Sequence, residues 1–126
     1  MDSTPTPSDV FDGAFIHKTI LFYILIHNNI EKFPKRDRYT IGKRLEENIL
    51  ETIELTLLAK SKNQASCLLI LNKIDTKLKF IKILIRIGHN IKAIDQNKFI
   101  YLQEQTIELG KILGGWIKNT KQNPLK

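Results

Sequence analysis

The sequence predicts an all-α protein whose fold is an antiparallel up-down-up-down four-helix bundle. The prolines lie near the chain ends or at one internal position, Pro34, so residues 38–122 lack the strongest helix breaker. Apolar residues recur there at helical spacing, and the polar breaks between periodic segments are short. A length of 126 residues fits one domain with one core. We therefore expect a bundle over 14–121, between a flexible N-terminal tail over 1–13 and a C-terminal tail over 122–126.

The first predicted helix spans residues 14–32 and is apolar on almost every side. The segment before it, MDSTPTPSDVFDG, is rich in Ser, Thr, Pro and Asp and has no apolar period. The helix includes an unbroken apolar run from Ile20 to Ile26. Such a run fits a buried strand or a helix, and a length of about five turns favours the helix.

The second predicted helix follows the FPKRD segment, because Pro34 disfavours the α conformation of Phe33. It spans residues 38–62, with glutamates between its apolar positions. Those positions are Ile41, Leu45, Ile49, Thr52, Ile53 and Leu57. The SKNQ segment then predicts a polar turn that is short enough to make the second and third helices antiparallel neighbours.

The third and fourth predicted helices carry heptad-like stripes, in which apolar residues are alternately three and four positions apart. The third-helix stripe consists of Cys67, Leu71, Ile74, Leu78, Ile81 and Ile85. The fourth-helix stripe consists of Phe99, Leu102, Thr106, Leu109, Leu113 and Trp116. Asp95 precedes the fourth helix at the position of an N-cap. We interpret Gly110, Gly114 and Gly115 as small residues that allow close helix packing, because no strand precedes them and no Gly-Lys-Ser/Thr follows.

A second apolar stripe on the third helix predicts a homo-oligomer. It lies roughly 140° from the core stripe on a helical wheel, so one bundle core cannot bury both. This stripe consists of Phe80, Leu84, Ile87 and Ile91. Exposed apolar patches of this kind mark subunit or partner interfaces. The alternative is a thick core covered by the N-terminal tail and by lysine side chains.

Basic residues are concentrated in two clusters, which indicates an acidic partner such as RNA or DNA. The net charge is +7 and the pI about 9.6. Lys32–Arg44 contains six basic residues and one acidic residue, and Ser66–Ile94 contains the same numbers. The predicted contacts within them are Lys35, Arg36, Arg38, Lys43, Arg44, Lys73, Lys77, Lys79, Lys82 and Arg86. No aromatic platform accompanies them, so we expect sequence-tolerant binding to the phosphate backbone, with a merely solvated charged face as the alternative.

The sequence contains no pattern that predicts catalysis, a metal site or a cofactor. No glutamate has a histidine at the Glu-x-x-His spacing of di-iron bundles, and His17, His27 and His89 are isolated. Cys67 lies in a core stripe, where a buried and inert thiol is expected. No apolar run approaches the roughly 20 residues of a membrane span. With a single cysteine and no signal-like start, we expect a cytoplasmic protein that does not bind membranes.

Three stretches make the sequence resemble the accessory variability determinant (Avd) proteins of diversity-generating retroelements. They are FPKRDRYTIGKRL, LKFIKILIRIGHNIK and, most specifically, IELGKILGGWIK. The resemblance runs from the first helix to Lys118 in the family's order and spacing. It implies a barrel-like homopentamer of four-helix bundles with a nucleic-acid-binding basic surface. It also adds Lys111, which stands where the family often has arginine, to the contact residues.

By this resemblance the chain is a non-enzymatic partner of the element's reverse transcriptase, supporting mutagenic cDNA synthesis from a template RNA. Bundles encoded in intervening sequences of ribosomal RNA genes are an alternative, because they share the fold and the pentameric form. They lack an equivalent LGGWIK ending, and membership would leave only an oligomeric structural or interaction module. A structural module that does not bind nucleic acid would explain the apolar surplus but not the two basic clusters.

Overall fold

The computed structural model describes residues 7–122, which are helical throughout except for short connections. The elements are α1 (Pro7–Ile30), the single turn α2 (Lys35–Asp37), a π-helical turn (Arg38–Gly42), α3 (Lys43–Lys60), α4 (Gln64–Asn90) and α5 (Gln96–Gln122). No strand occurs in the described range. The four long helices confirm the predicted all-α, four-helix class.

The four long helices pack around one core. Helix α1 packs against α3 and α5, and α4 packs against the same two helices, so α1 and α4 lie diagonally opposite each other. At one end of the bundle, the Gln64 side chain at the start of α4 donates to the carbonyl of Thr120 near the end of α5, at 3.0 Å. The largest fully buried side chains are those of Trp116, Phe15, Ile26, Leu45, Ile49, Leu71, Ile74, Ile81, Ile85, Leu102, Leu109 and Leu113.

The predicted heptad stripes are the core faces of α4 and α5. Every residue of the α4 stripe is buried, and so is the α5 stripe except for the half-buried Phe99. Buried threonines add to the core without orphaned hydroxyls, because Thr52 and Thr56 donate to the carbonyls of Asn48 and Thr52, at 2.8 and 2.9 Å. On α3 the predicted apolar stripe is not buried along its whole length, since Leu57 is 56% exposed.

The connections between helices have well-defined caps. The Asn63 side chain accepts from the amide of Ser66 at the start of α4, and the Asp95 side chain accepts from the amide of Lys98 at the start of α5. After α4 the backbone turns at Lys92, whose φ of 68° lies in the left-handed region. The cap predicted at Asp95 is therefore confirmed.

Helix α1 begins earlier than predicted. The sequence placed residues 1–13 in a flexible tail, whereas the structure begins α1 at Pro7. Phe11 lies one turn before the buried Phe15 and packs against Gly115 of α5, which explains the added turns. Residues 1–6 and 123–126, which hold the rest of the two predicted tails, lie outside the described residues.

The FPKRD break ends α1 as predicted, but the chain resumes a helical path sooner than expected. Helix α2 starts at Lys35 instead of Arg38, and a π-helical turn joins it to α3. Gly42 belongs to this turn, and a Cβ added there would lie 2.9 Å from Cγ2 of Ile30 and 3.3 Å from the carbonyl oxygen of Asp37. The close approach of α1 to the π-helical turn therefore requires glycine.

Two predictions about packing surfaces are wrong in part. Leu84, assigned to the oligomer interface, is 4% exposed, because α4 touches both α3 and α5 and its core face is wider than one stripe. Phe80 is half-buried against the core, whereas Ile87 and Ile91 are 38% and 41% exposed. Of the glycines read as packing positions, only Gly115 has a close neighbour. Gly110 and Gly114 face open space within the protomer.

Helix α1 meets a length and composition criterion for a membrane span that the count of unbroken apolar residues did not apply. The stretch Val10–Ile30 is long and apolar enough to cross a membrane by length and composition. A search for unbroken apolar runs missed it because Asp12 and Lys18 interrupt the sequence. A core helix and an N-terminal signal sequence meet the same criterion. In this structure the helix contributes Phe15, Phe22 and Ile26 to the core.

Candidate nucleic-acid interface

Three of the predicted basic residues meet in a groove between α4 and α5. Lys79 and Lys82 of α4 lie opposite Lys111 of α5, around a cavity of about 290 Å³. The residues lining this α4–α5 groove are Asp75, Leu78, Lys79, Lys82, Thr106, Ile107, Gly110 and Lys111. The sequence placed Lys111 in a separate motif, and helix packing brings it to the two lysines of α4.

Most of the positive charge in the α4–α5 groove is not compensated by acidic neighbours. Lys79 pairs with Asp75 at 3.0 Å, but within residues 7–122 neither Lys82 nor Lys111 forms an ion pair. Glu108 is one turn from Lys111 and is held by Lys18 of α1, at 2.9 Å. The hydrogen bond from Lys18 and its charge lower the pKa of Glu108, and Lys111 adds a smaller effect.

Arg86 extends this basic surface along α4. It is exposed and follows Lys82 by four residues and Lys79 by seven, so the three side chains share one side of the helix. An exposed guanidinium is a strong donor to phosphate oxygens. The surface therefore continues beyond the groove towards the end of α4.

The groove between α3 and α4 contains the other two predicted lysines of α4, but one of them is already engaged. Lys77 binds Glu51 and, at 3.1 Å, the side-chain oxygen of Asn48. The cavity of about 510 Å³ is also lined by Lys73 and by the side chain of Phe80. Arg44 stacks its guanidinium over the Phe80 ring, 5.3 Å from the centroid. Because Lys77 is paired with Glu51, the positive charge of this groove is smaller than its lysine count suggests.

The remaining predicted residues lie around α2 and at the start of α3. Arg36 is 3.5 Å from the carboxylate of Asp37, and Arg38 donates through Nε to the carbonyl of Phe33 at 3.1 Å. Lys35 and Lys43 are exposed and make no ion pair with any described residue. Asp37 is buried, and one of its carboxylate oxygens has no hydrogen-bond partner in residues 7–122.

One basic cavity was not among the predicted contacts. It has a volume of about 220 Å³ and lies where the connection after α1 meets the connection between α4 and α5. The residues lining this end cavity are Asn29, Lys32, Phe33, Lys92, Ala93, Ile94, Asp95 and Lys98. The sequence counted Lys32 and Lys92 in separate clusters and left Lys98 out. Only the packing of the two connections brings these three lysines together.

Other polar side chains have structural roles. Glu46 of α3 accepts from the His27 ring of α1 at 2.8 Å. Burial raises the pKa of Tyr23, and the charge of Glu46 and a hydrogen bond to it raise that pKa further. Cys67 is buried. Among the side chains of residues 10–122, no three His, Cys, Asp or Glu groups lie together so that they could hold a metal ion.

Comparison of the sequence with known proteins identifies a matching family. The family model described as bAvd-like matches residues 16–120, a range that contains all four long helices except the first turns of α1 and the last two residues of α5. No curated protein and no solved structure matches the chain. The matched range includes both interhelical grooves and the end cavity.

Proposed function

The chain belongs to the bAvd-like family of accessory proteins, and we propose that it is the non-enzymatic accessory protein of a diversity-generating retroelement. In this proposal it binds the template RNA through its basic surfaces and associates with the element's reverse transcriptase. The polymerase supplies the chemistry of mutagenic cDNA synthesis. Membership in the bAvd-like family favours this function over that of an intervening-sequence bundle.

The observation that carries the proposal is the α4–α5 groove. Lys79, Lys82 and Lys111 converge there with Asp75 as the one acidic lining residue. Lysine ammonium groups in such a groove attract a phosphate backbone and release its condensed counterions. Arg86 continues the same surface, so a single strand can follow it beyond the groove.

The assembly that we propose is a homopentamer of antiparallel up-down-up-down bundles acting in the cytoplasm. The contact between Gln64 at the start of α4 and Thr120 near the end of α5 supports the antiparallel order of these helices. A ring with several basic grooves would hold RNA and reverse transcriptase together, which makes their second encounter intramolecular. Affinity is then increased by multivalency.

Binding to nucleic acid tests the groove directly. We expect the triple variant Lys79→Gln, Lys82→Gln, Lys111→Gln to bind single-stranded RNA and DNA more weakly than the wild type and with a shallower salt dependence. Each lost phosphate contact changes the slope of log K against log salt by about 0.7 on single strands. Lys77→Gln is the matched control, because Lys77 is already paired with Glu51. Equal losses in both variants would contradict the assignment.

Reconstitution tests the accessory role. Template-primed cDNA synthesis by the reverse transcriptase should require the wild-type protein and should fall with the triple variant. Synthesis that proceeds undiminished without this protein would exclude the role. Polymerisation by this chain alone would show that it is an enzyme. Copurification of the two proteins from cells that express both tests their association separately from RNA binding, if nuclease is added.

A further inference from the structure

The end cavity is a concave site whose charge is not compensated. Lys32 approaches from the connection after α1, Lys92 from the turn after α4, and Lys98 from the first turn of α5. None of these three lysines forms an ion pair with any residue in the range 7–122. Three lysines therefore line one cavity of about 220 Å³, and the repulsion between like charges favours the binding of an anion there.

The other lining groups do not neutralise the three lysines. Asp95 is the single acidic lining residue, and one of its carboxylate oxygens accepts from the backbone amide of Lys98 at 2.9 Å. The Asn29 side-chain nitrogen donates to the carbonyl of Leu25 at 2.8 Å. The cavity therefore keeps a net positive charge, with Phe33 and Ile94 as its apolar walls.

Lys92 is an unusual residue for its backbone conformation. Its φ of 68° favours glycine or asparagine, because a Cβ is crowded in the left-handed region. The amides of Ala93 and Ile94 both donate to the carbonyl of Gly88, so the turn itself is fixed by backbone hydrogen bonds. The turn does not need the lysine side chain, which lies at the cavity wall and is available to bind a ligand there.

We propose that the end cavity binds the terminal phosphate monoester of a nucleic acid strand. A terminal monoester carries about −1.5 to −2 charges near neutral pH and offers three free oxygens, whereas an internal diester carries one charge. The three lysines and Asp95 give the cavity lining a net charge of 3 − 1 = +2, which balances the monoester, and the number of lysines equals the number of its free oxygens. The end cavity is less open than the α4–α5 groove, which suits a strand end, while the more open groove suits the strand interior. This inference rests on the proposed binding of nucleic acid and adds a preference for strand ends.

The test compares short RNA oligonucleotides of one sequence that carry a phosphate at the 5′ end, at the 3′ end or at neither end. We expect the wild type to bind one phosphorylated form about tenfold more tightly than the hydroxyl-ended form, the scale of one hydrogen bond to a charged group. Lys92→Gly should abolish that preference. Glycine fits a positive φ, so this variant should keep its thermal stability, and the loss cannot be attributed to unfolding.

Controls separate this inference from the proposed function. Lys111→Gln in the α4–α5 groove should weaken binding of all three oligonucleotides by the same factor and leave the end preference intact. Equal wild-type affinity for the three oligonucleotides would overturn the inference while leaving general nucleic-acid binding in place. Inorganic phosphate should also shift the amide resonances of Ala93 and Ile94 in the wild type but not in Lys92→Gly. If it does so while no oligonucleotide binds, the cavity is an anion site, and both the proposed nucleic-acid binding and the preference for strand ends are wrong.

Discussion

Trp116 is fully buried in the bundle core, yet its indole N–H has no hydrogen-bond partner among the described residues. Its ring lies 6.3 Å from that of Phe15, centroid to centroid, so it joins α5 to α1. Leaving a buried donor unsatisfied costs about 1–3 kcal/mol. The large apolar area of the ring must outweigh that cost.

We therefore expect the two truncations of Trp116 to differ in their effect on the free energy of unfolding. Trp116→Ala should lower it by about 3–5 kcal/mol, as for other large aromatic residues in cores. Trp116→Phe should lower it by much less, because it keeps a ring and removes the unsatisfied donor. Urea unfolding at fixed protomer concentration measures both. Equal losses would indicate that the indole N–H has a partner, such as a buried water.

Tyr23 offers a pH-dependent test of the contact between α1 and α3. Burial, followed by the charge of Glu46 and a hydrogen bond to it, raises the pKa of Tyr23 above its usual 10.0. The native state thus holds the phenol proton more tightly than the unfolded state does. Its contribution to stability is complete below pH 10 and is lost as the pH rises through the native pKa. The pH dependence of unfolding above 10 should therefore weaken in Tyr23→Phe.

Glu46→Gln separates the causes of this shift. The substitution removes the carboxylate charge but not the burial of the phenol, so the pKa of Tyr23 should fall part of the way towards 10.0. Phenolate absorbance, with Tyr23→Phe subtracted to isolate this tyrosine, measures the midpoint. A complete return to the usual value would mean that burial has no effect here.

At the scale of helices, sequence periodicity predicted the core residues of a helix that buries a single face. It failed where contacts with other helices lengthen a helix or widen its buried face. The heptad stripes of α4 and α5 are buried because each spacing of three or four residues returns to the same side. The start of α1 escaped prediction, because its turns depend on the contact between Phe11 and Gly115, which no local pattern indicates. Leu84 escaped for a similar reason, since two neighbouring helices widen the buried face of α4.

Two adjacent glycines of α5 test that contact. A Cβ on Gly115 would lie 2.7 Å from the Phe11 ring, whereas a Cβ on Gly114 would meet nothing within 4 Å. Gly115→Ala should push Phe11 away and increase hydrogen exchange in the first turns of α1. Gly114→Ala should stabilise the protein by up to about 1 kcal/mol, because alanine favours the helix. Similar exchange and stability in the two variants would contradict the packing of Phe11 on α5.

At the scale of the whole molecule, the sequence predicted which residues are basic but not how they are arranged. Charge counting identified Lys79 and Lys82, and packing joined them to Lys111. Counting also included Lys77, which pairs with Glu51. Local charge density cannot reveal which lysines have partners on another helix, because those partners are distant in sequence. The same limit hid the meeting of Lys98 with the two lysines across the end cavity.

Apolar side chains exposed on opposite sides of the protomer are the basis for the proposed ring. Leu21 and Ile24 on α1 are 53% and 49% exposed, and Ile83 and Ile87 on α4 are 48% and 38% exposed. Since α1 and α4 lie diagonally across the bundle, these two faces point in different directions. If one face packs on the other in the next protomer, the contact is head-to-tail, and such contacts form a ring when the rotation from one protomer to the next closes.

We expect light scattering to report a multiple of 14.6 kDa, with five protomers for the proposed pentamer. Leu21→Asp and Ile87→Asp should each give a monomer that keeps its helical content, since both side chains are exposed and each change breaks every head-to-tail contact. Asn97→Asp, an equal change of charge at an exposed polar position, should leave the ring intact.

A mixture of the two monomeric variants should form a heterodimer, because one retains an intact α4 face and the other an intact α1 face. If each variant alone forms a homodimer, like faces pack together and the head-to-tail arrangement is wrong. A wild-type monomer at micromolar concentration would exclude the ring altogether.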